Sequence, residues 1–177
     1  VAGVSASADE TSEKNYIIDD PYERVDWDEW NAYKTQLHCH TTASDGFLTV
    51  KEFVREHYDL NYDIVALTDH NTTKNCPAFF AAAKKYGIIP IAGMELTTSE
   101  DIHVVCLFEK LADALSFSDE VEKHRVLIKN RPEIFGKQQI MDEEDNVLAE
   151  EEYLLSNATD ISVEEVPALV KCFGGVC

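Results

Sequence analysis

The sequence predicts an α/β domain built on a mostly parallel sheet or barrel. Three observations carry this. Short apolar runs alternate with amphipathic helical stretches between residues 33 and 108. The run Asp63-Ile64-Val65-Ala66-Leu67-Thr68 is almost uninterrupted, as in a strand covered on both faces. Ionisable residues follow these runs directly, where α/β folds place their chemistry.

Composition sets the bounds. A chain of 177 residues with 45% hydrophobic content suffices for one core. Its formal charge is −19, and the acid is unevenly spread. Residues 1–30 carry nine acids against two bases, and residues 142–152 carry seven acids and no base. Residues 31–110 are nearly balanced, with ten acids and seven bases. Such acidity disfavours long nucleic acid and anionic membranes as partners. It leaves nucleotide processing open, because bound divalent cations reverse the local field. No apolar run approaches the ~20 residues that span a bilayer. Cys39, Cys76, Cys106, Cys172 and Cys177 form no CxxC pair. They read as thiols of a reducing compartment, which favours the cytoplasm without excluding secretion.

Residues 1–20 lack periodicity, and residues 1–32 read as a partly disordered lead-in. Ala6-Ser7-Ala8 has a small-x-small form but no apolar stretch before it. Tyr22, Trp27 and Trp30 are expected to hold the end of this segment to the domain. The domain itself is expected at 33–177, with a helical and hairpin insertion at about 111–150.

Residues 33–40 alternate and read as the first strand. Thr49-Val50-Lys51-Glu52 is a capping box that opens a helix carrying Val50, Phe53, Val54 and His57 on one side. His57 reads as structural. Residues 63–68 form the second strand, ending in Asp69-His70-Asn71. Pro77 near a helix start, Lys84-Lys85 in its last turn and Gly87 as its stop mark the second helix. Residues 88–92 form the third strand, followed by Gly93-Met94-Glu95, and residues 102–108 form the fourth.

Further on, Ser116 or Ser118 is expected to cap a helix running to about Asn130, with Pro132 interrupting it. His124 reads as a solvated surface residue. Residues 139–148 suggest a hairpin with a solvated acidic tip at 142–146. Ser162-Val163-Glu164-Glu165 is a second capping box, and Pro167 inside its helix predicts a kink. Val176-Cys177 reads as the opening of a further strand.

The chemistry begins at Leu37-His38-Cys39-His40-Thr41-Thr42-Ala43-Ser44-Asp45-Gly46. On a strand, His38 and His40 point to one face and Cys39 to the other. The turn that follows allows Asp45 to fold back towards them. His70, Glu95 and His103 then stand at or beside successive strand ends. Imidazole and carboxylate together suit Zn²⁺, Mn²⁺ or Fe²⁺ rather than Ca²⁺. A bridging carboxylate such as Glu95 supports two-metal chemistry on phosphate esters.

His-x-His-Thr-x-x-Ser-Asp-Gly, Leu-Thr-Asp-His-Asn and Gly-x-Glu followed by a His-bearing apolar strand together resemble the PHP (polymerase and histidinol phosphatase) superfamily. The resemblance is strong over about 33–108. It implies a distorted (β/α)7 TIM-like barrel, of which the first four to five strands lie in this chain. It also implies a metal-dependent phosphoesterase acting through a metal-activated water, with two or three ions per complete site. His38, His40 and Glu95 would hold one ion, Glu95 and His103 a second, and Asp45 and His70 a third. Asp69 and Glu95 are the implied catalytic carboxylates, Asp69 orienting its neighbour. The implied substrate is a small phosphorylated molecule or nucleotide. A nucleotide or oligonucleotide phosphatase or exonuclease of the same family is the alternative, as is a non-catalytic metal-binding remnant. The family's later ligands, a His in a following strand and a final Asp-x-His, have no counterpart here. The chain is therefore expected to be the front part of a longer protein, binding metal weakly and nearly inactive by itself.

Overall fold

A computed structural model describes Asp28 and residues 31–177. Tyr33–Cys177 forms one compact unit, the domain considered below. The expectations for Tyr22, Trp27, Trp30 and the earlier lead-in lie outside the described residues.

A five-stranded sheet forms the domain's centre, with strand order β1-β2-β3-β4-β7. β1 (Thr35–Gln36) pairs parallel with β2 (Ile64–Leu67), and β2 pairs parallel with β3 (Ile89–Thr97). The mostly parallel expectation fails beyond that. β3 pairs antiparallel with β4 (His103–Phe108), and β4 antiparallel with β7 (Gly175–Val176). Only residues 98–102 join β3 to β4, too few for a parallel crossover, which takes about a dozen. This hairpin also explains why β3 runs to Thr97 instead of stopping near Ala92. Past its parallel partner, the strand continues against Cys106, Val105, Val104 and His103.

The first strand is shorter than its alternation predicts. Only Thr35 and Gln36 join the ladder. Beyond them the Thr68 backbone N–H donates to Cys39 O at 2.8 Å, and Thr68 Oγ1 accepts from Cys39 N–H at 3.1 Å. A side chain thus replaces one rung, and the run stays extended without regular pairing.

α1 (Val50–Asp59) carries the expected capping box. Thr49 accepts from Glu52 N–H, and Glu52 accepts from the Thr49 N–H. α2 (Cys76–Tyr86) has Pro77 in its first turn and stops at Gly87, whose φ of +75° is the left-handed stop that glycine adopts without strain. The two helices pack through Phe53 and Phe79, edge to face at 5.6 Å. Phe53, Val54, Val65, Leu67, Phe79 and Met94 are fully buried in this core. Each contributes about 1.5–3 kcal/mol of hydrophobic burial. His57 is buried as a structural residue: its Nδ1 contacts Phe53 O at 2.8 Å, and its Nε2 lies 3.8 Å from Cys39 Sγ.

Between β4 and the last helix, the chain departs from the expected helix. α3 (Leu111–Glu122) starts and ends earlier. Ser116 is interior and bonds back to Ala112 O, while Ser118 is buried and accepts from Thr73 N–H. Residues beyond His124 instead form isolated bridges, Arg125 with Thr159 and Lys129 with Tyr153. β-branched Val126 and Ile128 fit that extended path better than a helix. His124 keeps an exposed side chain, as expected, and pairs with Asp160 at 2.7 Å.

After the short α4 (Pro132–Phe135), β5 (Gln139–Met141) and β6 (Val147–Glu150) form the expected hairpin. Its acidic tip is docked rather than free. Asp145 accepts from Thr49 Oγ1 and Lys51 N–H, which caps α1 from outside. Glu144 pairs with Lys51 and Lys85. The last helix, α5 (Val166–Cys172), begins after the Ser162 turn. Pro167 therefore falls in its first turn, where no backbone bond is lost, and the predicted kink has no cause.

Candidate metal centre

The extended run after β1 delivers His38 and His40 to one side, with ring centroids 5.2 Å apart. Cys39 points the other way, towards His57, as the alternation requires. The chain then turns tightly. Gly46 N–H donates to Thr41 O, and Thr42 N–H to Leu48 O. A Cβ at Gly46 would lie 2.4 Å from the His40 carbonyl carbon and oxygen, so only glycine closes this turn. The closure brings Asp45 Oδ1 within 3.0 Å of His40 Nδ1.

The other groups arrive from the neighbouring strands. His70 follows β2 and forms a parallel bridge with Glu95 of β3. His103 opens β4, two residue pairs along the ladder from Glu95. Glu95 is the hub. Its Oε2 lies 2.8 Å from His38 Nε2, 2.9 Å from His40 Nε2 and 3.7 Å from His70 Nε2. Its Oε1 lies 3.0 Å from His103 Nδ1. Asp45 Oδ2 lies 3.4 Å from His70 Nε2. The structure therefore assembles all six ligand-type residues that the motifs single out. They fall into three overlapping groups: His38, His40 and Glu95; His40, Asp45 and His70; His70, Glu95 and His103. Within each group the donor atoms lie within 4.8 Å of one another.

Asp69 sits elsewhere. It is buried beneath the turn and touches no imidazole in a hydrogen bond. It accepts from Thr41 N–H at 2.7 Å, Thr41 Oγ1 at 2.7 Å and Ser44 Oγ at 2.8 Å. Its geometric role is to anchor the turn between His40 and Asp45, rather than to orient its neighbour His70. Thr41 and Ser44 were not singled out from sequence, although the Thr-x-x-Ser spacing after His-x-His is the signal that marks them.

Two asparagines were also missed. Asn71 has φ +48°, a left-handed conformation that Asn tolerates better than most residues. Its side chain donates to Leu155 O and Asn157 O and accepts from Thr97 N–H. Asn75 donates to Thr41 Oγ1 and Gln139 O and accepts from Met141 N–H. Through these two residues the 123–161 excursion is tied to the strand ends that bear the site. Sequence spacing carries no trace of such long-range bonds.

The electrostatics suit a cation. Hydrogen bonds from His40 and His70 hold the Asp45 carboxyl far below its usual range, against some burial. Burial pushes Glu95 up, but the hydrogen bond with His38 and the charges of His70, His38 and His40 outweigh it, leaving it lowered. Both carboxylates are thus ionised and offer only acceptor oxygens. Burial pulls His40 down, yet Asp45, with the charges of Asp69 and Glu95, raises it overall. His70 Nδ1 is buried with no hydrogen-bond partner among the described residues. Four imidazoles converging on two ionised carboxylates form a donor set that fits divalent metal.

The PHP domain family model matches residues 36–161. The chain belongs to the PHP domain family. Among curated proteins it is 42% identical over 81 residues to a 5′-3′ exoribonuclease of Haemophilus influenzae, across 44% of this chain and 30% of that one. It is 35% identical over 88 residues to a PolC-type DNA polymerase III of Thermotoga maritima, across 49% of this chain and 6% of the polymerase. This PHP chain thus spans less than a third of either relative. Among solved structures, one described as a metal-dependent phosphoesterase of Bifidobacterium adolescentis aligns with TM-score 0.55 and 22% identity, covering 82% of this chain and 66% of that one. An amidohydrolase of Chromobacterium violaceum aligns with TM-score 0.52 and 19% identity, covering 80% and 64%. These two likenesses concern the fold.

The five cysteines are free thiols. Burial pushes Cys76 and Cys106 up to about 12, so both are unreactive core residues. No helix among the described residues is long and apolar enough to cross a membrane.

Proposed function

We propose that this PHP chain carries the front part of a divalent-metal phosphoesterase site that hydrolyses a phosphate ester of a small molecule or nucleotide. The observation that carries the reading is Glu95, reached by four imidazoles from three separate segments with Asp45 beside them. Structural cores do not gather this many titratable groups at successive strand ends.

His38, His40 and Glu95 would hold one ion, Glu95 and His103 a second, and Asp45 and His70 a third, with Zn²⁺, Mn²⁺ or Fe²⁺ matching the donors. Such ions supply activation of water and neutralisation of phosphoryl charge. The residues of this chain do the rest. Glu95, ionised and central, holds the imidazoles in register. Asp69, with Thr41 and Ser44, keeps His40 and Asp45 at fixed separation, which is how it contributes to catalysis. The wider architecture we assign to the intact protein is the distorted (β/α)7 barrel, with the sheet seen here as its opening strands. A reducing, cytoplasmic setting accords with the free thiols.

An exonuclease or oligonucleotide phosphatase is the second reading, favoured by the 42% identity with a protein named as a 5′-3′ exoribonuclease. The net charge of −19 argues for short or mononucleotide substrates over long nucleic acid.

The test is hydrolysis of a generic phosphate monoester by the intact protein with Mn²⁺ or Zn²⁺, alongside metal analysis. The double variant His38→Ala/His40→Ala is expected to lose metal and activity together. Activity that persists after the metal is lost would overturn the reading. Fewer than two ions per chain in the intact protein, with no hydrolysis, would instead support a non-catalytic metal-binding domain.

A further inference from the structure

Phe47 is the most exposed large apolar side chain among the described residues, at 97%. It stands two residues beyond Asp45, so their Cα atoms lie within about 7.6 Å. Its backbone is not free to move it away. Gly46 is seated against the His40 carbonyl, and Gly46 N–H donates to Thr41 O. On the other side, Leu48 O accepts from Thr42 N–H, and the Leu48 side chain packs against the core. Both neighbours are pinned, and only the Phe47 ring projects into solvent. The groups facing solvent at the metal centre are His38, Asp45 and His103, whose side chains are 49%, 59% and 41% exposed. Phe47 thus follows the ligand-type residue Asp45 by two positions, on a turn whose backbone is pinned on both sides.

We propose that Phe47 is a stacking platform for a nucleobase, which makes the substrate of this site a nucleotide with its phosphate at the metal centre. The proposal rests on the phosphoesterase reading and narrows its substrate class. A water-exposed aromatic ring on a pinned stretch of backbone gains by stacking on the flat face of a base, whichever base it is. Sugar phosphates without a base offer no π face to stack on it. The ring adds no charge, which suits a nucleotide whose charge is met by the metal centre in an otherwise acidic chain. Because the ring is exposed, its replacement leaves the core intact.

Two measurements on the intact protein with Mn²⁺ test this, with adenosine 5′-monophosphate and ribose 5-phosphate as probes. In Phe47→Trp, fluorescence beyond that of the wild-type protein is expected to quench with the nucleotide and not with the sugar phosphate. In hydrolysis, the ratio of kcat/KM for nucleotide over sugar phosphate is expected to fall at least about fivefold in Phe47→Ala. Phe47→Trp is expected to retain the ratio. Hydrolysis of both probes with an unchanged ratio, or equal quenching by both, overturns the stacking assignment alone. Hydrolysis of neither probe with nucleotide-specific quenching supports base binding and overturns the phosphoesterase reading. Neither hydrolysis nor quenching overturns both.

Discussion

Glu95 Oε2 meets His40 Nε2 at 2.9 Å, although the two residues belong to segments separated by a whole βα unit. Glu95 also approaches His38, His70 and His103, so it is the one side chain common to the two groups at either end of the site. Glu95→Gln keeps the shape but removes the charge. Divalent-metal affinity of the intact protein, read by calorimetry with Mn²⁺, is expected to fall at least about tenfold. Circular dichroism is expected to stay unchanged.

Asp69 shows how a residue outside the cluster governs it. Its carboxylate receives three donors from Thr41 and Ser44. In Asp69→Asn one oxygen becomes an NH₂ that faces donors, leaving buried groups unpaired. The expected cost is about 1–3 kcal/mol in urea unfolding. Metal affinity is expected to fall about 10–100-fold, because the turn no longer holds His40 and Asp45 together.

Gly46→Ala tests the same turn sterically. Its Cβ would meet the His40 carbonyl at 2.4 Å, and that obstacle is backbone, which cannot step aside. The expected outcome is a loss of about 1–3 kcal/mol of stability together with weakened Mn²⁺ binding. Gly136→Ala makes a control for space, since nothing lies within 4 Å of a Cβ there, although its φ of +79° adds local strain.

The docked hairpin tip predicts a pH dependence. Hydrogen bonds from Lys51 and Lys85 hold Glu144 at about 2, below the ordinary 4.5. A lowered folded pKa contributes stability that is present above 4.5 and lost as pH falls towards 2. Glu144→Gln is therefore expected to lower the urea midpoint at pH 6, with the difference closing between pH 4.5 and 2. High salt is expected to shrink it too, because the pair is exposed.

Much of the site is legible before any coordinates. His-x-His on an extended run, Asp after a turn and ionisable residues at strand ends follow from local periodicity, and the family motifs join them. Thr49 and Glu52 cap α1 as their spacing requires. The failures share one physical origin. The helix expected to reach Asn130 stops at Glu122, because the residues beyond it bridge to Tyr153 and Thr159. β3 is longer than its apolar run because β4 returns beside it. Asp69 serves the turn because its carboxylate accepts from Thr41 and Ser44 across 25 or more positions.

Local chemistry alone settles which side chains can bind a cation, the faces of His38 and His40, and the caps and stops of α1 and α2. These depend on neighbours within a few residues, where spacing and dihedral preference suffice. Tertiary structure decides the rest: that β3 and β4 run antiparallel, that His70 also approaches Glu95, and that Asn71 and Asn75 tie the excursion to the site. Those outcomes depend on bonds between residues tens of positions apart, whose partners are selected by packing and by the need to satisfy buried polar groups.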